Sequence, residues 1–161
     1  MGEMPLGIRS LLGPITDLKS EDRILIITDT DKFQIGKELF DWASKVNETS
    51  MAVMTPRASH GDEPTVEIAA AMETANVIFA ATSMSMFHSQ ARRRVVQNGH
   101  CRYVNLVDYI PSMFHEGGLT ADFLEITEIL NRIAPHFRGK KWNFRHQEEQ
   151  IWYAAWREGS L

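Results

Sequence analysis

The chain has 161 residues, of which 43% are hydrophobic and 24% are charged, values ordinary for one globular domain with a buried core. Its net charge of −4 does not favour binding to nucleic acid or to anionic membranes, and the short basic run Arg92-Arg93-Arg94 is interpreted as a solvated helix face. A single cysteine, Cys101, excludes an internal disulfide. With no signal pattern and no membrane-length apolar run, a cytoplasmic protein is expected.

Short apolar runs alternate with amphipathic segments along most of the chain. After a weakly helical N-terminal stretch, four such runs predict strands, at 23–30, 49–57, 76–82 and 101–109. Apolar spacing and capping residues predict helices after them, at 31–47, 63–75, 83–100 and 119–137, with Thr120 as the N-cap of the last. The alternation predicts a Rossmann-like α/β fold with a parallel sheet of about four strands flanked by helices.

Ligands of open parallel sheets bind at the carboxyl ends of the strands. The predicted strands end at Asp29 and Asp31, at Arg57, at Thr82-Ser83 and at Asp108. No GxGxxG or GxxxxGK[ST] pattern follows a strand, so a dinucleotide or P-loop nucleotide is not expected. Asp29 and Asp31 could bind a hard cation, but capping of the next helix is the favoured interpretation, because Asp is a preferred N-cap residue.

The remaining polar residues define no chemistry by themselves. The six histidines show no zinc-binding spacing, and Cys101 has no CxxC partner, so it is predicted to be a packed thiol. His60 is interpreted as a solvated loop residue. His88 follows the third strand and could move a proton, although a surface position explains it as well. Ser83 and Ser85 lack the GxSxG nucleophile elbow.

Four stretches occur in an order that resembles a known family. They are ILIITDTDKFQIGKELF, MTPRASHGDEP, AATSMSMFHSQARRR and GGLTADFLEI, and the last is the most specific. Over about residues 23–139 the chain resembles the N-terminal half of the aminopeptidase T-like metalloenzymes, a family of leucyl aminopeptidases and 2,5-dihydroxypyridine 5,6-dioxygenases. The resemblance implies a longer, two-domain enzyme whose Glu, His and Asp metal ligands lie in its C-terminal half.

The resemblance also implies site roles. His88 would be the catalytic proton-transfer residue, and Phe87, Ser83 and Thr82 would line the substrate cleft. In the peptidases a divalent metal, zinc or another, would hold the substrate carbonyl and activate water. In the dioxygenases a single iron would bind dioxygen and substrate. This chain alone is expected to bind neither metal. The parent's substrate would be a small peptide or a small aromatic molecule, and a homo-oligomer is expected, with no nucleic acid or membrane partner.

The similarity stops after Gly139, and the chain then ends KKWNFRHQEEQIWYAAWREGSL. If the third base of each codon is joined to the first two of the next, starting at Lys141, the permitted readings include VEFSTPRGTDLV. The family continues with a similar TSPxGTDL pattern. We hypothesise a one- or two-base indel near codons 138 to 141, giving an N-terminal α/β domain at 1–139 and an out-of-frame tail at 140–161. The rival is a genuine amphipathic terminus that docks through Ile151, Trp152 and Trp156.

The sequence therefore predicts an N-terminal fragment of a metal-dependent aminopeptidase-like hydrolase that is inactive alone because the metal-ligand domain is missing. One alternative is a fragment of a 2,5-dihydroxypyridine 5,6-dioxygenase-like non-haem iron enzyme. Another is a stand-alone α/β binding module, which would be stable and monodisperse without metal. The fragment hypothesis predicts an exposed, apolar interdomain face.

Overall fold

A computed structural model describes residues 2–97, 99, 101–137, 141–145 and 151–155, with the backbone alone for the last two ranges. The chain divides into two compact units, Met1–Ala121 and Asp122–Leu161. The first contains the sheet and its flanking helices. The predicted tail lies largely outside the described residues, apart from two short strands in the second unit.

The sheet of the first unit has four parallel strands in the order β2-β1-β3-β4. These are β1 (Ile24–Asp29), β2 (Thr49–Met54), β3 (Val77–Ala81) and β4 (Arg102–Asn105). The central strands β1 and β3 are buried along their whole length, which explains why both are apolar at nearly every position. The edge strands β2 and β4 are more exposed. The predicted Rossmann-like α/β fold is confirmed.

Helices cover both faces of this sheet. They are α1 (Leu6–Ser10), α2 (Phe33–Ala43), α3 (Val66–Met72) and α4 (Gln90–Gln97). Alternate residues of β1 enter two different cores, because successive side chains of a strand point to opposite faces. Ile24 and Ile26 pack with α1 and α2, whereas Leu25 and Ile27 pack with α3 and α4.

The fourth helix begins seven residues later than the sequence predicted, so the prediction of a helix over 83–100 is wrong at its start. Residues 83–89 form a loop, here called the 83–89 loop. The cause is a capping arrangement at its end. The carboxylate of Glu63 accepts hydrogen bonds from the backbone N–H groups of Gln90 (2.5 Å) and Ala91 (3.0 Å). The hydroxyl of Ser89 accepts from the Arg92 N–H at 3.2 Å.

The second unit contains α5 (Phe123–Phe137) and an antiparallel pair, β5 (Lys141–Arg145) and β6 (Ile151–Ala155). The prediction that Thr120 caps α5 is wrong. Asp122 does so, since its Oδ1 accepts from the N–H groups of Leu124 and Glu125, both at 3.0 Å. Several apolar side chains of α5 are exposed, Leu124 at 69% and Leu130 at 53% among them.

No helix within the described ranges combines the length and the apolar character that crossing a membrane requires.

Candidate functional site

The carboxyl ends of β1 and β3 lie side by side, with Thr28 paired to Ala81. Asp29 ends β1, and Thr82 follows β3 directly; both residues are fully buried. The 83–89 loop leaves the sheet at this point and carries the other residues that the sequence singled out. This edge is therefore where the parallel-sheet rule places a ligand, and it is the candidate site.

Asp29 anchors the start of the 83–89 loop. Its Oδ2 accepts hydrogen bonds from the backbone N–H (2.7 Å) and the hydroxyl (2.6 Å) of Ser83, and its Oδ1 accepts from the Lys32 N–H at 3.0 Å. Neither Asp29 nor Asp31 is the N-cap of α2, contrary to the prediction from the sequence: Lys32 is the N-cap residue and makes no side-chain capping bond, and Asp29 accepts from its N–H. With both oxygens engaged by the protein, Asp29 positions the loop rather than offering a ligand for a cation.

His60 fixes the middle of the same loop. The Ser85 backbone N–H donates to His60 Nδ1 at 2.9 Å, and the Gly61 N–H donates to the Ser85 carbonyl at 2.7 Å. The residue is exposed, as predicted, but it is more than a solvated loop histidine. Because Nδ1 accepts a hydrogen bond, the neutral ring must carry its proton on Nε2.

Thr82 and Ser83 are hydrogen-bonded inside the protein. The Thr82 hydroxyl donates to the Met84 carbonyl at 2.8 Å, and the Ser83 hydroxyl donates to Asp29. Both hydroxyls therefore have a positioning function in this structure. That Thr82 and Ser83 line the substrate cleft stays a prediction.

Phe87 and His88 project from the far end of the 83–89 loop. Their rings meet edge to face, with centroids 5.4 Å apart and an interplanar angle of 87°. Phe87 is 40% exposed, and His88 is exposed as well. No hydrogen bond to the His88 ring is found among the described residues. An exposed imidazole beside an exposed aromatic ring can exchange a proton with a molecule that stacks on that ring.

The sequence predicted that Arg92-Arg93-Arg94 form a solvated helix face, and for Arg92 this prediction is wrong. Its side chain is half-buried, and its guanidinium Cζ lies 4.1 Å from the centroid of the Phe87 ring and 5.6 Å from that of Tyr103. The sequence carried a weak signal for this position. Arg92 and Val96 are four residues apart and border the buried stripe of α4, which includes Val95.

Four side-chain polar atoms in the described residues are buried and lack a hydrogen-bond partner: Arg57 Nε, Arg92 Nε, the Tyr103 hydroxyl and Asn105 Oδ1. Burial raises the pKa of Tyr103 well above its usual range, against a smaller opposing effect of Arg92, so the hydroxyl keeps its proton. Such unpaired groups are uncommon in native proteins. Three of the four belong to α4 or to the edge strand β4, and one of them, Arg92, contacts the Phe87 ring.

Other candidates have no visible role at this edge. Cys101 is buried in the core beneath α3 and α4, and burial raises the pKa of its thiol to about 11, despite the opposing charge of Arg102. The prediction of a packed thiol is therefore confirmed. Asp108 is exposed, with a left-handed backbone (φ 65°). A cavity of about 150 Å³ lies at the opposite, amino-terminal edge, lined by Arg23 and Glu48 among others.

The residues of this site do not fit a metal. Within the described part of the chain, no group of three or more His, Cys, Asp or Glu side chains could hold a metal ion. Neither the divalent metal nor the iron that the resemblance implies can therefore be assigned to ligands here.

Comparisons with models of protein families, with curated proteins and with solved structures gave no match.

Proposed function

We propose that this chain is the N-terminal α/β half of a metal-dependent aminopeptidase-like hydrolase and that it has no catalytic activity alone. One observation carries the proposal. A parallel sheet presents Phe87 and His88 together at its carboxyl edge, on a loop held by Asp29 and His60. The four sequence stretches that resemble the family include each part of this arrangement.

The proposed roles follow from the contacts. His88 moves a proton at the substrate, since its exposed imidazole can both accept and donate a proton. Phe87 offers an apolar surface to the substrate. Thr82 and Ser83, whose hydroxyls bond within the protein, set the position of the loop. A divalent metal bound by the other half of the enzyme would polarise the scissile carbonyl and activate water.

The first alternative is a fragment of a ring-cleaving, iron-dependent dioxygenase. The exposed Phe87 ring favours it, because an aromatic substrate can stack there. The second is a stand-alone binding module. It is favoured by the core on each sheet face, which the first unit builds from its own residues.

The test is to resequence the gene from codon 130 to several hundred bases past the stop and translate all three frames. The proposal expects another frame to continue through TPRGTDL into a long open frame with Glu, His and Asp clusters. Those ligands would then distinguish a peptidase from a dioxygenase. Rapid closure of the other frames would overturn the fragment hypothesis and leave the binding module.

A second experiment tests activity directly. The 161-residue chain and the frame-restored protein would each be assayed on small peptides and on dihydroxypyridines, with zinc or iron added. Activity in the restored protein alone is expected. Turnover by the 161-residue chain, with tightly bound stoichiometric metal, would contradict the proposal.

A further inference from the structure

Arg92 is a half-buried cation that has no anionic partner within the described residues. Its guanidinium contacts two aromatic rings, Phe87 and Tyr103, and its Nε is buried without a hydrogen bond. The other arginines of the basic run differ. Arg93 is exposed, and Arg94 is exposed and lies 3.5 Å from a carboxylate oxygen of Glu73. An arginine that has lost hydration without gaining a counterion binds an anion more strongly than a solvated arginine does.

Polar groups of β4 lie on the same side of the sheet. Tyr103 and Asn105 are two residues apart on the strand, so their side chains point to one face, and Tyr103 packs in the core that α4 covers. Both carry a buried polar atom without a partner. Because the Tyr103 hydroxyl keeps its proton, it is available as a hydrogen-bond donor.

The geometry points to Arg92 as the residue that binds the carboxylate of a small ligand, whose apolar part lies against Phe87. The inference deepens the proposed function and rests on it, because it assigns a chemical class to the ligand of the Phe87–His88 surface. A guanidinium can donate two parallel hydrogen bonds to a carboxylate. Tyr103, whose ring centroid lies 5.6 Å from the Arg92 guanidinium, has an unpaired hydroxyl that can complete such a site, and Asn105 follows two residues later on the same face of β4.

A carboxylate fits this surface better than a phosphate. Phosphates commonly bind the free N–H groups at the start of a helix. The N–H groups at the start of α4 already have acceptors. The Glu63 carboxylate accepts hydrogen bonds from the N–H groups of Gln90 and Ala91, and the Ser89 hydroxyl accepts one from the Arg92 N–H. A single guanidinium balances the single charge of a carboxylate.

The test is a titration of the 161-residue chain with benzoate, using benzamide as a neutral ligand of the same shape and inorganic phosphate as a second anion. Binding is followed by calorimetry and by the NMR signal of the Arg92 Nε–H group. We expect saturable benzoate binding that shifts this signal. Benzamide should bind at least about tenfold more weakly, because it carries no negative charge and has one acceptor oxygen where the carboxylate has two.

Variants assign the binding to Arg92. The Arg92→Gln substitution should weaken benzoate binding about tenfold or more, whereas the matched Arg93→Gln substitution removes the same charge from an exposed site and should leave binding within about twofold. If Arg92→Gln does not fold, Arg92→Lys keeps the charge but loses the forked geometry, and it should still weaken binding severalfold.

Several results would overturn the inference: no saturable benzoate binding, equal binding of benzoate and benzamide, tighter binding of phosphate, or unchanged binding in the Arg92 variants. The outcome of the benzoate titration does not depend on the outcome of resequencing the gene. If the other reading frames close, the proposed hydrolase falls while a measured benzoate site stands. If the titration fails, the frame test still decides the proposed function.

Discussion

At the scale of single residues, the substitution with the largest expected effect on stability is at Asp29. It is fully buried and accepts three hydrogen bonds, two from Ser83 and one from Lys32. The Asp29→Ala substitution leaves those donors without their acceptor and should lower the free energy of unfolding by about 2–4 kcal/mol. It should also increase hydrogen exchange at the Ser83 amide. Asp31→Ala, at the neighbouring exposed aspartate, is the matched control and should change neither quantity measurably.

Asp22 gives a pH-dependent prediction. Burial tends to raise the pKa of this carboxyl, but hydrogen bonds from the Lys19 N–H and the Arg102 guanidinium, with the charge of Arg102, outweigh burial and hold it below the ordinary value of 3.8. A lowered folded-state pKa contributes stability above the unfolded value, and that stability is lost as the pH falls through the folded value. Urea unfolding should therefore show Asp22→Asn to be less stable by about 1–3 kcal/mol at pH 7.

The difference between Asp22→Asn and the unmodified chain should shrink as the pH falls below 3.8. Glu21→Gln removes an adjacent, exposed carboxylate and should show no such dependence. A pH-independent gap would mean that the Asp22 charge contributes nothing and that the substitution acts through packing.

At the scale of secondary-structure elements, the contact of α2 with β1 depends on Gly36. A Cβ atom at this position would lie 2.8 Å from Thr28 Cβ, which is closer than van der Waals contact allows. Gly36→Ala should therefore destabilise the first unit by about 1–3 kcal/mol, although alanine has the higher helix propensity. Gln34→Ala, on the exposed side of α2, should be neutral or slightly stabilising. Thermal and urea unfolding of both variants would check this, and a stable Gly36→Ala protein would show that the helix can shift outward.

The sequence predicted well the elements whose hydrophobic pattern lies within one short segment of the chain. β1 and β3 are continuous apolar runs because both faces are covered, and α2 shows helical spacing. The start of α4 was not predictable in this way, since it is set by Glu63, a residue 27 positions before Gln90. The same limit applies to the candidate site. Arg92 lies over the ring of Tyr103, a residue of another element, so no local pattern shows this contact. The pairing of Phe87 with His88 was expected from the resemblance alone.

At the scale of the whole molecule, the exposed apolar stripe of α5 predicts self-association. Its apolar residues recur at alternating intervals of three and four, the spacing of helices that pair along a narrow seam: Phe123, Ile126, Leu130, Ile133 and Phe137. Three of them are exposed: Ile126 at 38%, Leu130 at 53% and Ile133 at 41%. A second copy of the chain offers the same stripe, so burial of apolar surface favours a homo-oligomer through α5.

Leu130→Glu places a charge in the middle of this stripe and should weaken self-association about tenfold or more, because the carboxylate would have to lose its hydration on pairing. Asn131→Glu adds the same charge one residue away at an exposed polar position and should have little effect. Sedimentation velocity over a wide concentration range would measure both. A chain that stays monomeric at every concentration would contradict the α5 prediction, and it would favour the stand-alone binding module over the fragment, since a fragment is expected to expose an apolar interdomain face.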